Sequence, residues 1–481
     1  SSSTAEYFAK NLQQVGFSSP TKAVLTTLKE AVDNSLDACE DAGILPNLVV
    51  SVEKIGAGSG KNVDLVRVRV EDNGPGLDVE DLPMVFGEYL ASSKFGRGRC
   101  SRGQQGIGIS AATTWAQLTH GQGAVITSKT SRMRKAVSAL IDVDIKSNKG
   151  AVKSKETVDW DRPHGLAVEF VFDGRVQLNG DGGLLTYIEG TTLVNPHLAL
   201  RYKLLENDWV DVPRVSDQKP EVPEATLPHP HTMKLGEFIT HAHLFGGVAL
   251  QKFLTTAFSR ITSQTITELV KNGLPKAFLA RPVNKLKEDE LKRVFQVLQN
   301  SELMNPSTKS VMTIGEESLS KSINRMGEID FFSVVTRKPT ICDFKPVAVE
   351  VALARLKNRS GQEDEPVQVL RFANRVPLQF DKAACAMTRA IETVNWRSYG
   401  LPQQKDSVPV GPYIFAISVV SPFIKFKNAS KETVDASDEL VEELRRALMQ
   451  AGQKLSRHIK REFKEADLER KIQHIEQFGP V

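Results

Sequence analysis

Residues 20 to 43 carry the feature that most narrows what this chain can fold into. Ser19 followed by Pro20 reads as a helix N-cap with proline in the first turn, and Gly43 as the glycine that stops the helix. Between them Leu25, Leu28, Val32, Leu36 and Cys39 recur at spacings of three and four, the mark of one buried helical face. At about 100° per residue, Glu30, Asn34 and Asp37 form a second row roughly 165° from that face. Alone, this row reads as a solvated surface, where charges of any kind would serve. Two motifs further along change the reading.

The first is "EDNGPG", residues 71–76, which closes the alternating strand pattern of "DLVRVRVED". Gly74 and Gly76 open backbone conformations closed to other residues, and an aspartate at a strand end, Asp72, can hold a buried polar partner. The second is "RGQQGIGIS", residues 102–110, leading into the helical "AATTWAQL". Glycines before a helix leave its free N–H groups open to an anion, and the helix dipole favours phosphate. No GK[ST] follows, so this is not a P-loop.

In this order the three motifs resemble those of the GHKL ATPases, the group of gyrase, MutL, heat-shock chaperones and sensor kinases. Within that group "EAVDNSLDACEDAGILP", "VEDNGPGL", "SRGQQGIGISAA" and "DWDRPHG" resemble the B subunits of topoisomerase VI, as do the later "RFANRVPLQFD", "VNWRSYGL" and "SKETV". The likeness runs over nearly the whole chain. A MutL- or chaperone-like clamp without topoisomerase activity is the alternative; it would share residues 20–195 but not the insert at 232–305 or "RFANRVPL".

The resemblance implies roles. Glu30 is the general base that orients water toward the γ-phosphate of ATP, and Asn34 the Mg²⁺ ligand. Asp72 accepts from the adenine amino group, with Asp37, Gly74 and Gly76 supporting the nucleotide site. Residues 91–105, with Ser93 and Lys94, form a lid. Gly103, Gln104, Gln105, Gly106, Ile107, Gly108, Ile109 and Ser110 cradle the phosphates. A lysine from the C-terminal region reaches the γ-phosphate: Lys431 fits best, with Lys425 and Lys427 as neighbours in the same stretch. One position departs from the family pattern. Leu166 follows "PHG" where the family has threonine, which leaves one side of base recognition altered.

Organisation follows from pattern breaks. Residues 20–195 alternate helical and strand patterns, as in an α/β layer domain. "KPEVPEATLPHPH" (219–231) is a proline-rich linker, helical patterns fill 232 to about 305, "NPSTKS" breaks the chain again, and strand patterns return from about 331. The expectation is an α+β multidomain chain: a GHKL (Bergerat) α/β sandwich with an N-terminal strap over 1–228, a helix–two-turns–helix domain over 229–306, and an α/β transducer over 307–481. The transducer is expected to end in one long helix over 435–476, with Leu444, Leu448, Leu455, Ile459 and Phe463 on its apolar stripe. The segment 1–17 carries Tyr7, Phe8, Leu12, Val15 and Phe17, and the family implies that it packs on a second protomer.

Composition sets the outer limits. A net charge of +4 permits nucleic-acid contact without requiring it. Basic residues of the insert (Lys252, Arg260, Lys271, Lys276, Arg281, Lys285, Lys287, Lys292, Arg293) stand among acidic ones, so DNA contact and a plain solvated surface both remain open. Four dispersed cysteines with no C-x-x-C pair argue for free thiols and against a zinc cluster. His229, His231, His241 and His243 read as loop histidines. No run of 18 apolar residues exists, and the opening "SSSTAEYF" shows no leader pattern. The family further implies ATP and Mg²⁺ as cofactors and an A subunit that carries the DNA-cleaving tyrosine, joined in an A2B2 assembly. It also implies ATP-driven homodimerisation around double-stranded DNA, and a cytoplasmic site with the chromosome (nuclear in a eukaryote).

Overall fold

The computed structural model describes residues 3–90, 102, 106–221, 226–357, 363–380, 382–426 and 433–478. The N-terminal unit begins with α1 (Thr4–Lys10) and α2 (Pro20–Asp41), the latter capped by the Ser19 hydroxyl, which accepts from the Lys22 N–H. Gly43 sits at φ 68° just beyond the end of α2, in the left-handed region expected of a helix stop. A hairpin of β1 (Asn47–Ala57) and β2 (Asp64–Asp72) follows, then α3 (Leu82–Gly87) and α4 (Gly108–His120). The unit continues through β3 (Ala124–Lys129), β4 (Ala136–Asp144), β5 (Lys149–Val158), β6 (Gly165–Gly174), α5 (Leu184–Val194), β7 (Ala199–Leu204) and β8 (Val210–Val212). The strands form one eight-stranded sheet in the order β5-β4-β3-β6-β2-β1-β7-β8.

Helix α2 lies on this sheet because its apolar stripe and the inward residues of β2 and β6 are complementary. Leu28, Leu36, Val66, Val68, Val70, Phe170 and Phe172 are fully buried together. Burying each such side chain stabilises the fold by about 1.5–3 kcal/mol. Strand β5 is mostly exposed, and without a buried face its sequence shows no strong alternation to mark it. In the single chain the N-terminal segment packs on the sheet unit that follows it. Ala5, Leu12 and Phe17 are buried in this unit's own core, and Phe8 stacks on Tyr89 with ring centroids 4.9 Å apart. Tyr7 of the same segment stays 52% exposed.

Helices α6 (Leu235–Leu244), α7 (Leu250–Ala257), α8 (Ser263–Lys271) and α9 (Glu288–Asn300) close around Phe238, Phe253, Phe258 and Leu291 as a separate helical unit. His241 and His243 lie on α6 and are not loop residues. His229 and His231, on a 3₁₀ turn, both pack against Phe344. After α10 (Glu316–Ile323), the strands β9 (Ile329–Thr336), β10 (Thr340–Cys342), β11 (Lys345–Leu356), β12 (Gln368–Ala373), β13 (Val376–Leu378) and β14 (Tyr413–Val420) form a second sheet. Helices α11 (Ala386–Thr393) and α12 (Asp438–Phe478) cover it. β14 is buried along its whole length, which is why its sequence is a continuous apolar run. "RFANRVPLQF" is not one strand: Asn374 and Arg375, at φ 49° and 63°, turn the chain between β12 and β13. On α12 the expected stripe stops early. Leu444, Leu448 and Leu455 are buried, whereas Phe463 is 71% exposed because the helix has run past the sheet it packs on.

The two sheets meet through α5. Leu193 and Val194 pack with Leu319 and Ile323 of α10 and with Val334, Ala352 and Phe372 of the second sheet.

Candidate active site

The polar row of α2 faces a cavity of ≈ 420 Å³ lined by Glu30, Asn34, Asp37, Asp72, Gly76 and the chain from Gly106 to Ile109. Its volume lies within the usual range for a ligand pocket. Asn374, Gln379, Phe380 and Phe426 of the second sheet's unit also line it, so the cavity is walled from two units.

Asp72 ends β2 at the base of the cavity and is 2% exposed. Its carboxylate accepts from the Ser35 hydroxyl at 2.6 Å, the Gly74 N–H at 2.8 Å and the Leu166 N–H at 3.2 Å. Burial pushes its pKa up, and the three donors oppose that shift. Leu166 therefore supports Asp72 with its backbone, while its side chain brings a hydrocarbon wall to the cavity where threonine would bring a hydroxyl. Gly76, at φ 72°, leaves no room for a Cβ against the Lys129 carbonyl.

Gly108 opens α4, and a Cβ there would collide with the carboxylate of Glu30. Only glycine lets the helix start this close. Glu30 thus stands at the N-terminus of α4, among N–H groups that no intrahelical carbonyl satisfies. Glu30 and Asn34 have no hydrogen-bond partner among the described residues, so an acceptor pair and a row of donors share one wall of the cavity. That donor set suits a nucleotide's phosphates, and the Asn34 oxygen suits a hard cation.

Gly74 and Ser110 stand behind the lining, and the Ser110 hydroxyl donates to the Glu88 carbonyl at 2.8 Å. Ser93, Lys94, Gly103, Gln104, Gln105, Lys427 and Lys431 lie outside the described residues. Lys425 is half-exposed and pairs with Asp435 at 3.6 Å.

Sequence reasoning missed a second polar stripe on α2. Asp33 and Glu40 fall on a common face beside the Glu30 row, and both are buried. Glu40 pairs with Arg102, Arg375 and His197, and Arg102 also holds Asp37 at 2.8 Å. The stripe itself was readable from spacing; its partners were not. Asp33 is 5% exposed and sits next to Glu30. Burial, then the Glu30 charge, raises its pKa to about 8. Its neutral form is the one the fold accommodates, so it contributes stability at low pH that is lost as pH rises toward 8. Asp33→Asn is expected to raise the melting temperature over wild type by more at about pH 8.5 than at about pH 5. An equal difference at both pH values would contradict this.

Residues 21–152 match the histidine kinase-, DNA gyrase B- and HSP90-like ATPase family. Fold and site together define an ATPase of that class, which binds nucleotide. Residues 306–471 match the transducer of the topoisomerase VI B subunit. The B subunit of type 2 DNA topoisomerase 6 from Methanococcoides burtonii is 36% identical over 463 residues, covering 96% of this chain and 72% of that protein. Its counterpart from Archaeoglobus fulgidus is 34% identical over 465 residues, covering 96% and 75%. The chain belongs to the topoisomerase VI B-subunit family, the ATPase subunits of type IIB DNA topoisomerases. Its class implies a partner A subunit. No helix among the described residues is long and apolar enough to cross a membrane.

Proposed function

We propose that this chain is an ATP-driven clamp on duplex DNA, in which 1–228 binds and hydrolyses ATP, 229–306 contributes a DNA-facing helical surface, and 307–481 transmits the nucleotide state to the A subunit. The observation that carries it is the juxtaposition of Glu30 with the opening of α4 on one wall of the cavity floored by Asp72. Asp72, as an acceptor, selects a base that presents an amino group, which adenine does. The free N–H groups from Gly106 to Ile109 hold phosphate oxygens and orient the γ-phosphate. Glu30, without a hydrogen-bond partner among the described residues and beside them, takes the proton of the attacking water. Asn34 is the side chain that would hold Mg²⁺. The ion held there would supply positive charge beside the phosphates. The remaining catalysis is positioning and electrostatics supplied by groups already fixed by folding. Lys431 is the residue proposed to report the γ-phosphate to the transducer, with Lys427 as the alternative; Lys425 has Asp435 as a partner.

Asp72→Asn is expected to weaken ATP binding, read by calorimetry, because the amide NH₂ would face donors from Ser35, Gly74 or Leu166. Unchanged affinity would remove the adenine role. A non-hydrolysable ATP analogue is expected to convert monomer to dimer in light scattering. The exposed Tyr7 of the N-terminal segment supports this reading as a residue a second copy would cover. A chain that stays monomeric in saturating analogue would overturn the clamp. The direct test of the function is DNA relaxation by the purified chain with and without its A subunit. ATP hydrolysis without relaxation by the chain alone, and relaxation on adding the A subunit, is the expected pair of results.

A further inference from the structure

The motif "RFANRVPLQF" forms the β12–β13 turn, and its Asn374, Gln379 and Phe380 line the cavity. Its tip, Arg375, projects out of the second sheet into the buried charge cluster on α2. Arg102 donates to both oxygens of Glu40, through Nη1 to Oε2 and through Nη2 to Oε1 at 3.3 Å, and Arg375 donates to Oε1 as well. Arg102 stands just ahead of the glycine-rich loop and is 4% exposed. Its guanidinium and its backbone N–H both bind Asp37, at 2.8 Å and 3.1 Å, and its other end binds Asn195. Burial pushes the Glu40 carboxyl up, but Arg102 and Arg375 outweigh that and hold it well below the usual carboxylate range.

One carboxylate on the helix that carries Glu30 and Asn34 is therefore shared between an arginine of the nucleotide loop and an arginine of the transducer. Next to Arg375, the Asn374 side chain accepts from the Ser421 N–H at 2.9 Å, tying the same turn to the chain leaving β14. That chain continues to Phe426 in the wall of the cavity.

We infer that Arg375 is a positioning residue for ATP hydrolysis: through Glu40 it fixes α2 and Arg102 relative to the transducer, so that the site is set for turnover only when the transducer is docked. A merely structural ion pair would affect stability. A positioning residue affects the rate of the chemical step at a given nucleotide occupancy. The inference rests on the reading of Glu30 and Asn34 as the hydrolytic pair.

The test uses the full chain with its A subunit and DNA, measuring ATP turnover and, separately, melting temperature. Arg375→Gln leaves Glu40 still paired with Arg102, so folding is retained. The expected result is kcat lowered about tenfold, the scale of one hydrogen bond between charged groups, with KM within about twofold of wild type. Arg375→Lys, which keeps the charge but not the two-pronged donor, is expected to recover part of kcat, and it supplies the same kcat-against-KM comparison if the glutamine variant does not fold. Wild-type kcat in the glutamine variant, or in the lysine variant if only that one folds, would overturn the proposal. So would a loss of rate that disappears once turnover is corrected for the folded fraction. Glu30→Ala, run beside it, separates the two failures. If Glu30→Ala is inactive and Arg375→Gln is normal, only the role of Arg375 falls; if Glu30→Ala is active, the reading of the site beneath it falls too.

Discussion

Glu30→Ala is expected to lower ATP turnover by about 10²–10⁴-fold, the range for loss of a positioned general base, while leaving ATP affinity close to wild type. The asymmetry comes from where the carboxylate stands. It lacks a partner among the described residues and faces the start of α4, so its removal takes nothing from the groups that hold the ground-state nucleotide. Asp72, which floors the cavity, keeps all three of its donors. Glu30→Gln, which keeps the shape and loses the basicity, is expected to fall with it. Single-turnover kinetics beside equilibrium binding checks both halves. Hydrolysis near the wild-type rate would refute the base assignment, and a matched loss of affinity would show that Glu30 binds instead of acting on water.

The double substitution Leu468→Asp with Ile475→Asp is expected to abolish DNA relaxation and co-elution with the A subunit, with ATP turnover of the isolated chain unchanged. Helix α12 is 41 residues long; Leu444, Leu448 and Leu455 are buried on the second sheet, and its contacts there end at Ile459 and at Glu462, which pairs with Arg355 of β11. Its far half carries Leu468, Ile472, Ile475 and Phe478, between 46% and 66% exposed, on one side of the helix. A row of exposed apolar side chains on an otherwise charged helix is the kind of surface that a partner covers, which is the basis of the expectation. These residues touch nothing in the core, so the cost to folding is limited to helix propensity, about 0.5 kcal/mol per site. If the doubly substituted chain still co-elutes with the A subunit in size-exclusion chromatography, the contact lies elsewhere.

How far the sequence reaches differs from element to element. The recurrence of Leu25, Leu28, Val32, Leu36 and Cys39, with Ser19 and Gly43 at its ends, is enough to place α2 and its apolar face, because caps and periodicity act within a few residues. The alternation of Val66, Val68 and Val70 places β2 for the same reason. β5 escaped that logic, since a strand exposed on both faces has no burial pattern to leave in its sequence. The polar pair Asn374–Arg375 marks the turn between β12 and β13, but the short strands on either side, paired over three residues each, read as one strand pattern.

By itself, then, the sequence determined the helix that offers Glu30, Asn34 and Asp37, the glycines that let Asp72 and α4 approach it, and the order of units along the chain. Those are consequences of local conformation and of residue chemistry at short spacing. Tertiary structure alone decided what meets those residues. It buried Asp33 beside Glu30, folded the N-terminal segment back onto its own unit, and carried α12 beyond its sheet so that Phe463 is left in solvent. It also brought Arg375 onto Glu40 from 335 residues away. A buried charge is tolerable only when paired, but which partner supplies the pairing depends on where a distant hairpin tip lands. No local spacing encodes that position; it follows from how α5 seats the two sheets against each other.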